Sequence, residues 1–207
     1  MTAPENRQVS RETEMGAQFI SEDSRAAEVL SFWFRGPEKR KAWFDKDPAF
    51  DARIRDRFLP LYETAAGGGF ATWRHSRGDC LALVVVLDQF PRNMFRGSAR
   101  AFATDSLVRD TANHAIALGF DKAMLPVERQ FLYLPLEHSE SLADQERCLA
   151  LMREIAVFPE TADLPKWAQA HLDIIRRFGR FPHRNAALGR ESAAAELAFL
   201  GEPGSGF

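Results

Sequence analysis

Apolar residues recur along this chain at intervals of three and four, the spacing that places them on one face of an α-helix. Ala26, Val29, Leu30 and Trp33 form the first such stripe, with Asp23 or Ser24 placed to cap it and Gly36-Pro37 to stop it. Asp47 followed by Pro48 opens a second helix over about 49–66, ended by three consecutive glycines. A third begins near Asp79, carries Leu81, Val84, Val85 and Leu87, and is expected to break at Phe90-Pro91. Its run of three valines also suits a strand, but no partner strand is visible elsewhere. Further helices are expected from Asp105 to a glycine cap at Gly119, over 127–138 with an interruption at Pro135, and over 142–156 behind Ser141. Another runs from Thr161 or Asp163 to Phe178, and a short last one follows Ser192 to Leu200.

About eight helices joined by short breaks predict an all-α fold. Antiparallel helix pairs stacked in a right-handed α-α superhelix are the expected arrangement, though no repeat consensus recurs. The organisation reads as a polar leader over 1–20, one helical domain over 21–200 and a flexible tail over 201–207.

Three expected inward stripes each carry one ionisable residue. Asp88 follows Leu81, Val84 and Val85; His138 follows Phe131 and Leu134; His171 lies between Trp167, Ile174 and Phe178. Buried ionisable groups pair or shift their pKa, and they gather at functional sites. Beside them stand two echoing turns, Phe90-Pro91-Arg92-Asn93 and Phe181-Pro182-His183-Arg184-Asn185, trailed by Arg96 and Arg190. Turns ordinarily use Gly, Asn, Asp or Ser, so guanidinium groups at both suggest recognition of an anion. The candidate catalytic residues are therefore His138, His171 and Asp88. The candidate ligand-binding residues are Arg92, Asn93, Arg96, Glu137, Arg180, His183, Arg184, Asn185 and Arg190.

Composition narrows this. The net charge of −2 supplies no basic field for nucleic acid. No apolar run is long enough to span a bilayer and no secretory signal is present, which makes a cytoplasmic location the default. Cys80 and Cys148 lie in apolar helical runs and read as reduced structural thiols. There is no phosphate-binding glycine loop, no His-Glu-x-x-His and no Cys-x-x-Cys, so no cofactor and no metal are expected.

The chain resembles a bacterial family known as domain of unknown function 924. The resemblance is carried by Leu87-Asp88-Gln89-Phe90-Pro91-Arg92-Asn93 with Phe95-Arg96-Gly97, and by Ala101-Phe102-Ala103-Thr104-Asp105. It continues through Phe131-Leu132-Tyr133-Leu134-Pro135-Leu136-Glu137-His138-Ser139-Glu140, His171, Phe178-Gly179-Arg180-Phe181-Pro182-His183-Arg184-Asn185 and Leu188-Gly189-Arg190. It implies a fold similar to tetratricopeptide-like superhelices, and it implies no activity.

Three functions compete on these residues. The first is a module binding an anionic small molecule or an acidic partner segment in an Arg- and His-lined cleft. The second is a hydrolase or lyase with His138 or His171 as general base and Asp88 as its orienting partner. The third is a buried polar network with a purely structural role. Oligomeric state stays open.

Overall fold

A computed structural model describes residues 21–35, 43 and 45–202. The polar leader over 1–20, the Gly36-Pro37 stop and most of the expected tail lie outside those residues. The described residues form eight helices, counting residues 77–94 as one run, and no strand. The all-α expectation holds, and none of these helices is long and apolar enough to cross a membrane.

Helix α1 (Ser24–Phe34) is capped by Asp23, whose carboxylate accepts the Arg25 N–H, and its buried face is Ala26, Val29, Leu30 and Trp33. Asp47 caps α2 (Pro48–Ala66) through the N–H groups of Ala49 and Phe50, with Pro48 at the first position, where its missing N–H costs nothing. The helix α3 (Arg77–Val84) starts behind Ser76 and is buried on every side from Gly78 to Val84. It therefore sits at the centre, against α1 and against α5 (Asp105–Ala117) and α6 (Pro126–Glu137). Next come α7 (Leu142–Ile155), capped by Ser141, α8 (Leu164–Phe178), ended by Gly179 with φ of 70°, and α9 (Ala194–Leu200). Sequence neighbours α5 and α6, α6 and α7, and α7 and α8 pack on one another.

The third helix does not break at Phe90-Pro91. Past α3 it widens into one π turn over Val85–Gln89, in which the Phe90 N–H reaches back five residues to Val85 O, and then continues as α4 (Phe90–Met94). Pro91 brings no N–H for the carbonyl one turn back, at Leu87. The Thr104 hydroxyl donates to that oxygen instead, at 2.6 Å. The helix survives its proline because a residue from another segment supplies the missing donor. The second Phe-Pro behaves differently. It follows the end of α8 and opens a single 3₁₀ turn, Pro182–Arg184.

Two smaller expectations are corrected. Trp167 does not share the inward stripe of His171: it is 48% exposed, and α8 buries Ala168, His171, Leu172, Ile174 and Ile175. Ser192 does not cap the last helix. Its Ala193 N–H is met at 2.8 Å by Glu196, three residues inside. An aromatic cluster of Trp33, Trp43, Phe50, Phe90 and Phe131 fills the core around α1 and α4, and the Trp43 indole N–H is satisfied by Trp33 O at 2.9 Å. Cys80 and Cys148 are both buried free thiols.

Candidate functional site

The π turn places Asp88 at the centre of the molecule with its side chain wholly buried. His138 is the residue at which α6 ends, and its backbone N–H is bonded to Leu134 O at 2.8 Å. Helix ends leave carbonyls without partners. Here the buried Gln145 amide reaches the carbonyls on either side of His138, at 2.5 Å from Glu137 O and 2.7 Å from Ser139 O. With its backbone pinned, His138 brings Nδ1 to 2.8 Å from Asp88 Oδ1. The other Asp88 oxygen accepts from Gln89 Nε2 at 2.5 Å. Arg92 Nη1 stands 3.1 Å from Oδ1 and donates to the Asp88 carbonyl at 2.9 Å.

Burial works to raise the Asp88 pKa, but Arg92 and His138 beside it hold it at about 2. Burial, helped by the Arg92 charge, depresses His138 below the usual histidine value of 6.5. At neutral pH the pair is thus a carboxylate and a neutral imidazole. The proton lies on Nδ1 and points at Asp88, which leaves Nε2 a lone pair and no hydrogen-bond partner among the described residues.

A chain of charges leads outward from this pair. Arg92 Nη2 lies 2.9 Å from Asp105 Oδ1, and Arg184 Nη1 lies 3.2 Å from Asp105 Oδ2. The Arg184 guanidinium packs between the rings of Phe102 and Phe181, 4.8 and 4.5 Å from their centroids. Burial and the neighbouring Arg92 lower its pKa to about 10, so it remains a cation at neutral pH. Glu140 takes a bidentate bond from Arg190 at 2.8 and 3.0 Å and accepts the Phe181 N–H at 2.8 Å. Asp105, Arg184 and Glu140 of this chain of charges line a half-open cleft of about 260 Å³, with Arg109, His138 and Ser139 completing its polar side and Phe102, Pro135 and Leu188 forming its apolar side.

Behind His138 lies a second polar cluster, sealed from solvent. His171 Nδ1 is 3.0 Å from Trp167 O and 3.4 Å from Glu137 Oε1, and the Cys148 sulfur is 3.9 Å from Glu137 Oε2. Burial pushes Glu137 up to about 8 and His171 down to about 3. Burial thus favours the uncharged form of each group over the ion pair. His183 is depressed to about 4 by burial and by Arg184, and its ring lies 5.5 Å from Phe181.

The structure therefore puts His138 and Arg184 in the lining of one cleft, with the buried Asp88 and Arg92 paired behind them, Arg190 on Glu140, and Glu137, His171 and His183 nearby. It draws the other expected residues into local ties. Arg96 holds Asp51 of α2 at 2.6 and 3.0 Å and bonds Asn93 at 2.7 Å, while Asn93 donates back to Gln89 O. Arg180 grips Glu196 of α9 twice, each at 2.7 Å, and Asn185 donates to Ser192 and Glu196. Asp105 and Arg109, absent from the expected site, line the cleft. Asp105 reads in sequence as a helix start and as the end of the motif over 101–105, and what reveals its place at the site is the pair of arginines it bridges.

A family model for a bacterial protein of unknown function (DUF924) matches residues 29–204. The chain belongs to that family. Every residue of the cleft falls within the matched DUF924 span. The DUF924 chain is also similar to a solved structure of a protein of unknown function from Agrobacterium tumefaciens, 42% identical, with a TM-score of 0.78 over 86% of this chain and 97% of that one. No curated protein matches it. Among the described residues of this DUF924 member, no group of three or more His, Cys, Asp and Glu side chains is arranged to hold a metal ion.

Proposed function

We propose that the cleft is an active site for a small molecule bearing an anionic group, with His138 as general base, in a hydrolase or lyase reaction. The observation that carries this reading is the 2.8 Å contact between His138 Nδ1 and a wholly buried Asp88, made by a histidine that keeps 16% of its side-chain surface exposed and lines the cleft. The carboxylate fixes the tautomer and ring orientation, so that Nε2 takes a proton from water or substrate. The imidazolium that forms then faces a compensating charge already in place. His171 fits the role less well, because it is 7% exposed and its Nδ1 is engaged with a backbone carbonyl. Arg184 and Arg109 are the cations available to an anionic group. The cleft's volume suits a small molecule better than an acidic partner segment.

The test is a turnover screen, followed by NMR, of small esters, amides and hydroxy acids that carry an anionic group, with wild type and His138→Gln run side by side. Positioned general bases contribute roughly 10²–10⁴-fold, and the variant is expected to lose that much with its fold intact. A base must be deprotonated to act, so the rate is expected to hold at neutral pH and to fall as pH drops through a pKa below 6.5. Turnover that His138→Gln leaves unchanged contradicts the reading.

A further inference from the structure

We infer that the molecule taken by this cleft is a small monocarboxylate with an apolar tail, its carboxylate held by Arg109 and Arg184 and its tail laid against Phe102, Pro135 and Leu188. This rests on the proposed active site and narrows its substrate class. Three observations support it.

First, the two arginines are incompletely committed. Arg184 spends Nη1 on Asp105, and its Nη2 makes no hydrogen bond among the described residues. Arg109 reaches Asp144 only at 3.7 Å and Ser139 at 3.4 Å, and it keeps 37% of its side chain exposed. Paired guanidinium groups suit the planar, two-oxygen geometry of a carboxylate.

Second, the opposite wall is apolar. Leu188, a lining residue, is 38% exposed, where solvent gives it no stabilisation, and Phe102 and Pro135 extend that wall. A ligand that is only a charged group leaves this wall bare.

Third, the charge balance limits the ligand's charge. Asp105 and Glu140 offset Arg109 and Arg184 along the lining. The lining therefore carries no net positive charge to favour a dianion over a monoanion, while the two arginines still offer donors enough for one carboxylate.

Isothermal titration at pH 7 with acetate, butanoate, hexanoate and inorganic phosphate tests this directly. Binding is expected to tighten about fourfold per added methylene as the tail is buried, with phosphate weaker than butanoate. Arg109→Gln is expected to weaken every carboxylate by about tenfold, the loss that follows from removing one charge-assisted hydrogen bond of about 1.5 kcal/mol. Leu188→Ser is expected to flatten the dependence on chain length while sparing acetate. Both side chains are partly exposed, so neither change endangers the fold. Phosphate binding tighter than hexanoate, affinity independent of chain length, or no binding by any carboxylate each overturns the inference. If such a result came with His138-dependent turnover intact, the proposed general base would stand and the substrate class would fall. Chain-length-dependent binding without any role for His138 would give the opposite separation.

Discussion

Glu137 and His138 are sequence neighbours with opposite protonation logic. His138 meets a carboxylate and the cleft. Glu137 points into the sealed cluster with Cys148 and His171, where burial raises its pKa from 4.5 to about 8. A carboxyl whose pKa is raised on folding contributes stability that is complete below its unfolded value and is lost as pH rises to the folded one. For Glu137 that window is about pH 4.5 to 8. Glu137→Gln removes the titration, so the variant is expected to gain stability relative to wild type as pH rises from 5 to 8, measured by urea unfolding at both ends. A difference that does not change with pH contradicts this. Asp88, His138 and His171 were legible in the sequence because a polar residue at core spacing is conspicuous on an apolar stripe. Their pairings were not. Asp105 and Arg184 are 79 residues apart, and nothing local signals that they meet. The arginines read as one anion cradle, but Arg96, Arg180 and Arg190 are spent on Asp51, Glu196 and Glu140 of other segments, which leaves Arg184 of that set at the cleft.

The helices were read largely from their caps and their three-and-four spacing, both of which are local. Asp47-Pro48, Ser141 and Gly179 act where the sequence puts them. The π turn was not legible, since a proline ordinarily ends a helix and the donor that rescues this one comes from Thr104, beyond the next turn. That donor also decides the site. By letting the helix continue through Val85–Gln89 into α4, it holds Asp88 and Arg92 on one continuous element. Thr104→Val leaves Leu87 O buried without its hydroxyl partner, which costs about 1–3 kcal/mol. In a Pro91→Ala background the restored N–H is available to the same carbonyl, so the cost of Thr104→Val is expected to shrink. Equal costs in both backgrounds, read from denaturant midpoints in a double-mutant cycle, contradict this account of the turn.

In the molecule as a whole, the cleft lies where three separate stretches of chain meet: residues 102–109 at the start of α5, the end of α6, and the turn after α8, with Asp88 of the π turn and Arg92 of α4 tied behind them. Arg92–Asp105–Arg184 and Arg190–Glu140 join those stretches through partly buried ion pairs. An all-α chain with these motifs was evident from the sequence. The convergence of the motifs was not, because it depends on how α3 is packed among α1, α5 and α6. The same convergence separates a working site from a set of structural ties, and it turns on the state of one imidazole. Nitrogen-15 chemical shifts of His138, followed from pH 4 to 8 in wild type and Asp88→Asn, read that state directly. The expected result is an Nδ1-protonated neutral ring at pH 7 with a pKa below 6.5, falling further in Asp88→Asn because Asp88 favours the protonated ring. A ring protonated on Nε2 at pH 7, or a pKa above 6.5 that Asp88→Asn leaves in place, would contradict the assignment of His138 as the base.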